Sequence, residues 1–157
     1  MFIASEPLGM LAGLPLHPLL VHSAVILVPL VALGALVMSY LPSFSRRHGK
    51  LILIVALVAQ VSVFLAKISG EAFSEILDKE VENHAQLGEI APFVTIPMVA
   101  LIYLRWRMDR AGSSTGSVAI RRLTSVALVI ASLASLVVIF LVGHSGASSV
   151  WGWIDKL

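Results

Sequence analysis

The stretch PLLVHSAVILVPLVALGALVMSYL, residues 18–41, decides how this chain folds. It carries no Asp, Glu, Lys or Arg, and a helix rising 1.5 Å per residue crosses the hydrocarbon core of a bilayer in about 20 residues. It therefore reads as a transmembrane helix. Pro18 suits the first helical turn, Pro42 ends the run, and Pro29 inside it is expected to kink it. Working outward, three more apolar runs follow at residues 51–68, 84–103 and 123–142. With short connections these four spans use almost all of the 157 residues, so one transmembrane domain over residues 1–157 is expected. The expected fold class is all-α: an integral membrane four-helix bundle, up-down-up-down.

Composition agrees. The chain is 58% hydrophobic, 13% charged and has a mean hydropathy of +0.96, too apolar for one soluble core to hide. There are no cysteines. This excludes disulfides, cysteine-ligated iron–sulfur clusters, a catalytic thiol and the thioether attachment of a c-type haem. The pI near 9.3 does not point to nucleic acid, because the basic residues sit in short clusters beside apolar runs, where they set topology.

Several boundaries can be proposed. Gly70 is a natural stop for the second helix. The following GEAFSEILDKEVEN, residues 70–83, is acidic yet periodic at Phe73, Ile76, Leu77 and Val81, as in a short outer amphipathic segment. Asn83 with Gln86 reads as a cap opening the third span, which Pro92 and Pro97 make irregular. RWRMDRAGSSTGSVAIRR, residues 105–122, reads as a flexible loop before the fourth span. There, Ala127, Ala131 and Ser135 form a small-residue stripe suited to close helix approach. Trp151 and Trp153 are interfacial anchors by type. The N-terminal residues lack the basic start of a signal peptide and read as a retained external segment.

The segments 46–50 and 105–122 hold all seven arginines and Lys50, whereas eight of the nine acidic residues lie elsewhere. Positive loops face the cytoplasm. Both termini and residues 70–83 are then expected outside.

Under this topology four of the five histidines gather at the outer helix ends: His17 and His22, His84, and His144. Only His48 is cytoplasmic. His22 lies five residues beyond His17, about 7.5 Å deeper. An ionisable ring at that depth normally faces the bundle interior with a partner. Helices one and three are diagonal neighbours that start on the same side, so His22 and His84 are the expected ligand pair. His17 and His144 would flank it. Glu89, about 7.5 Å below His84, is a candidate carboxylate supporting or binding a metal. Gly88 beside His84, and Gly143 and Gly146 beside His144, leave room for something flat, or only allow close helix crossing. Four-helix bundles hold haem between histidines of facing helices, and three or four imidazoles also suit zinc, copper or iron. Helix spacing leaves haem and a bare metal ion both open.

GLPLHPLLVHSAVILVPL (13–30), SGEAFSEILDKEVENHAQLGEIA (69–91) and VGHSGASSVWG (142–152) together resemble the small prokaryotic membrane proteins of domain of unknown function 2231. The resemblance covers nearly the whole chain. Its H-P-x-x-x-H element falls on His17, Pro18 and His22, its H-x-x-L-G element on His84, Leu87 and Gly88, and its G-H-x-G element on Gly143, His144 and Gly146. Relatives of this domain are joined to Rieske-type or c-type cytochrome domains. The resemblance thus implies a prokaryotic cytoplasmic (inner) membrane protein engaged in electron transfer at the outer face, with redox partner proteins there or a larger membrane complex. The leading expectation is a b-type haem held by histidines near the outer leaflet. The alternatives are a non-haem copper, zinc or iron protein, and a cofactor-free accessory subunit of a respiratory complex that uses the small-residue stripe to pack on partners.

Overall fold

The computed structural model describes residues 10–11, 14–77, 82–112 and 117–154. Four helices carry the architecture: α1 (Leu16–Tyr40), α2 (Pro42–Leu77), α3 (Glu82–Ala111) and α4 (Val118–Trp151). Ahead of them Met10–Leu11 (β1) and Leu14–Pro15 (β2) make a short antiparallel pairing, Met10 opposite Pro15. Each helix is long and apolar enough to cross a membrane. Sequential helices pack side by side, α4 closes against α1, and α1 and α3 also meet across the diagonal. The result is a transmembrane four-helix bundle in up-down-up-down order. The starts of α1 and α3 and the ends of α2 and α4 share one end, here termed the histidine end. The opposite end is the arginine end.

The bundle exterior is as apolar as its interior, with Leu30, Val61, Phe93, Ile130 and Phe140 all more than half exposed. Such a surface is stable against lipid tails and not against water. Since lipid is no worse a neighbour for these side chains than protein, close van der Waals packing holds the helices together, and small residues permit it. The core accordingly includes Ala32, Ala35, Ala56, Ala59, Ala91 and Ala131. The buried hydroxyls of Ser39, Ser62, Thr95, Ser132 and Ser135 each donate to the carbonyl four residues earlier, at 2.7–3.1 Å. No polar atom of these side chains is left bare in an apolar interior. In the Pro-interrupted middle of α3, Gln60 Nε2 from α2 donates to the Pro92 carbonyl at 3.0 Å.

Four sequence expectations need correction. Only Leu41 separates α1 from α2, because Pro42 starts the next helix instead of merely ending the last; the basic residues 46–50 are helical. Gly70 lies inside α2, which continues to Leu77. Part of the expected amphipathic segment is thus an extension of α2, while residues 78–81, with Val81, lie outside the described residues. Asn83 does not cap α3, which already includes Glu82; Gln86 Nε2 reaches the Glu82 carboxylate at 3.4 Å instead. Of the expected loop 105–122, residues 105–111 and 118–122 are helical; Gly112 ends α3 at φ +81, Ser117 caps α4 by accepting from the Ile120 amide, and residues 113–116 lie outside the described residues. The N-terminal segment expected outside, up to residue 9, lies outside the described residues.

The two hairpins α1–α2 and α3–α4 bury residues in the same register. Ala24, Val28, Val31, Ala35 and Met38 follow His17 at the spacings at which Ala91, Thr95, Met98, Ile102 and Arg105 follow His84. Ala56, Ala59, Ser62 and Val63 likewise precede Ser69 as Ser132, Ser135, Val138 and Ile139 precede Ser145. The bundle is a pseudo-twofold pair of hairpins.

Near the arginine end Gly49 of α2 lies against Trp106 of α3. A Cβ on Gly49 would lie 2.5 Å from Trp106 Cδ1. Gly49→Ala is therefore expected to destabilise the bundle by about 1–3 kcal/mol through overpacking. Thermal unfolding in detergent checks this, with Gly112→Asn as a control at a position that has no neighbour within 4 Å.

Candidate functional site: a histidine pair across the bundle diagonal

His17 and His84 meet at the histidine end. Their ring centres are 6.1 Å apart and their planes cross at 74°. Each ring is anchored by the second helix of its own hairpin. His17 Nδ1 lies 3.0 Å from the Ala66 carbonyl and 3.2 Å from Ser69 Oγ, while Ser69 Oγ itself donates to Ala66 at 3.0 Å. His84 Nδ1 repeats this with the Val142 carbonyl at 3.2 Å and Ser145 Oγ at 3.1 Å, and Ser145 donates to Val142 at 2.9 Å. A carbonyl oxygen only accepts, so in each neutral ring Nδ1 carries the proton and Nε2 the lone pair. That is the tautomer an imidazole needs to bind a metal through Nε2.

Glycines make the seating possible. A Cβ on Gly70 would lie 3.0 Å from His17 Cε1, and one on Gly146 3.0 Å from His84 Cε1. The equal distances reflect the pseudo-twofold register. These glycines let the rings lie against the α2 and α4 backbones; neither ends a helix. Gly70→Ala or Gly146→Ala is expected to push the facing ring off its carbonyl without unfolding the bundle. Histidine ring NMR shifts would report the loss of the Nδ1 hydrogen bond, while circular dichroism should stay unchanged. One turn below His84, Gly88 has nothing within 4 Å of its Cβ position.

The expected partner of His84 was His22, and the structure puts His17 there instead. His22 is exposed, and its Nδ1 donates to the Pro18 carbonyl at 2.5 Å. Five residues turn an α-helix by about 140° beyond one full turn, so His17 and His22 cannot both face the core. The same rotation separates Glu89 from His84, and Glu89 is exposed as well. His144 is exposed and stacks on Phe140 along α4, rings parallel within 5° and 6.0 Å apart. Of the five candidates, two are brought together. Among the described residues no group of three or more His, Cys, Asp or Glu side chains converges.

The anchoring serines and Gly70 were not seen as part of a site from sequence, and Gly146 was read as making room beside His144, whereas the ring it faces is that of His84. The signal was available: a Ser-Gly pair closes each hairpin opposite its histidine. At the arginine end a second polar group was also missed. Asp109, fully buried, accepts from Arg105 Nε at 2.7 Å and from Arg121 Nη2 at 2.6 Å; Arg105 also donates to Ser125. Arg121 further donates to the Met108 carbonyl at 3.1 Å.

Residues 13–153 match the model of a family described as predicted membrane protein DUF2231. The chain belongs to the DUF2231 family. No curated protein and no solved structure was found to match it. The matched region of this DUF2231 chain contains both anchored histidines with their serines and glycines, so the paired half-sites lie wholly inside the family domain.

Proposed function

We propose that this DUF2231 protein is a membrane-embedded electron-transfer protein that binds one b-type haem through His17 and His84. The observation that carries the reading is the diagonal pair itself, each ring anchored at Nδ1. The two ring centres lie 6.1 Å apart across the bundle diagonal, and these two side chains would hold the iron. The residues fit the group: two imidazoles each held at Nδ1 by a carbonyl, which leaves Nε2 for a metal, and glycines against the rings. Bound haem iron would supply one-electron transfer between its ferric and ferrous forms. The protein's part would be to orient the two nitrogens through the Nδ1 anchors on α2 and α4.

We further propose that the histidine end faces away from the cytoplasm, in a prokaryotic inner membrane. The basic residues Arg46, Arg47, Lys50, Arg107, Arg110 and Arg122 collect at the opposite end, where the positive-inside rule puts the cytoplasm. Redox partners would then dock at the outer face.

Reduced-minus-oxidised spectra of protein expressed with haem supplementation test the reading. A sharp α band is expected. Colourless protein carrying stoichiometric copper, zinc or iron would assign the same histidines to a bare metal ion instead. The cofactor-free accessory reading loses its expected surface, because Ala131 and Ser135 of the α4 stripe are buried inside the protein's own bundle.

A further inference from the structure

We propose that the pocket on the outward side of α3 and α4 binds the headgroup of an isoprenoid quinone, an inference that gives the electron-transfer reading its small-molecule partner. The pocket lies at the histidine end. Asn83, Gln86 and His144 form its polar rim, and Leu87, Ile90 and Leu141 its apolar floor. Ile90 and Leu141 are 49% and 41% exposed, so the floor opens onto the apolar flank of the bundle. An occupant therefore has a polar head at the helix ends and an apolar tail running along the membrane-spanning surface.

The chemistry of the rim narrows the head. Among the described residues no lysine or arginine lines the pocket, and Glu82 sits against Gln86 at 3.4 Å. Of these residues a phospholipid phosphate would meet no positive partner and a nearby carboxylate, an unfavourable arrangement. The amides of Asn83 and Gln86 and the imidazole of His144 offer N–H donors to a neutral acceptor. The His144 ring, parallel to Phe140 within 5°, adds a flat aromatic surface. A quinone is neutral, flat and bears two carbonyl acceptors and a long apolar tail. Ser145 also lines this pocket, and its Oγ is the atom 3.1 Å from His84 Nδ1. One residue thus belongs to both the pocket lining and the anchored histidine's hydrogen bonds.

The full chain in phosphatidylcholine nanodiscs, titrated with a decyl-substituted benzoquinone and compared with empty discs, tests this. Saturable uptake of one quinone per chain is expected. His144→Ala, which removes a donor, and Leu141→Trp, which fills the floor, should each weaken it about tenfold or more. His144→Gln, which keeps a donor, should lose about twofold to threefold only. Uptake no greater than in empty discs, or saturable uptake unchanged in all three variants, overturns the proposal. The two readings fail separately. His17→Ala should leave quinone uptake intact, so colourless protein with His144-dependent uptake refutes only the haem, and coloured protein with no saturable uptake refutes only the quinone site.

Discussion

Alanine at His17 or at His84 is expected to abolish the α band that the proposed haem would give the purified protein, while His22→Ala and His144→Ala leave its position and intensity unchanged. Each of the first two changes removes one of only two imidazoles that meet across the diagonal, and no other described histidine, aspartate, glutamate or cysteine converges on the pair to replace it. His22 cannot substitute, since its ring lies outward on the Pro18 carbonyl. A graded result is expected one step away from the ligands. Ser69→Ala and Ser145→Ala keep both rings and both carbonyls but remove the hydroxyl that shares each Nδ1, and changes of this kind cost about 10–100-fold in metal affinity. By the pseudo-twofold register the two serine variants should be equally affected. Loss of the band in His22→Ala with the band kept in His17→Ala would reverse the assignment.

Asp109→Ala is expected to produce the largest loss of stability among single substitutions in the described bundle. The carboxylate is the shared acceptor of two arginines, with side-chain exposures of 0% for Asp109, 5% for Arg105 and 23% for Arg121. Removing it leaves a buried guanidinium without its counter-charge, and breaking a buried pair from one side costs about 3–5 kcal/mol. Arg121→Ala should cost less, because that side chain is partly exposed and the Arg105 pair survives it. Arg105→Met is informative in another way. Met38 occupies the equivalent place in the first hairpin and is fully buried, so methionine fits that register, while Asp109 keeps Arg121. A smaller loss than for Asp109→Ala is therefore expected, as judged by midpoints of unfolding in mixed detergent micelles. Equal midpoints for wild type and Asp109→Ala would show that the triad contributes nothing to stability.

Much of the fold was legible because hydropathy reports the choice between lipid and water. The four apolar runs, their up-down order and the segregation of arginine to one end all follow from it. Helix ends were less legible. Gly70 looks like a stop, yet it lies within α2; at Gly70 and Gly146 a missing side chain makes room for an imidazole from another helix. Asp109 looked like one charge in a basic loop, and only the extension of α3 to Ala111 put it between Arg105 and Arg121. The choice of His22 over His17 rested on depth. Rotation about the helix axis, about 100° per residue, was the deciding quantity, and the inward face of α1 is marked by Ala24, Val28, Val31 and Ala35, in step with His17.

The sequence by itself determined that this protein lives in a membrane, crosses it four times and gathers histidines at one end. Which histidines meet was decided only by tertiary structure. In water an apolar stripe marks the buried face of a helix, whereas in lipid both faces are apolar and the stripe vanishes. Leu33 and Val31 are equally hydrophobic neighbours on α1, yet one is 57% exposed and the other 2%. What separates them is the close packing of small residues between helices, which orients His17 and His84 toward each other and turns His22, Glu89 and His144 away.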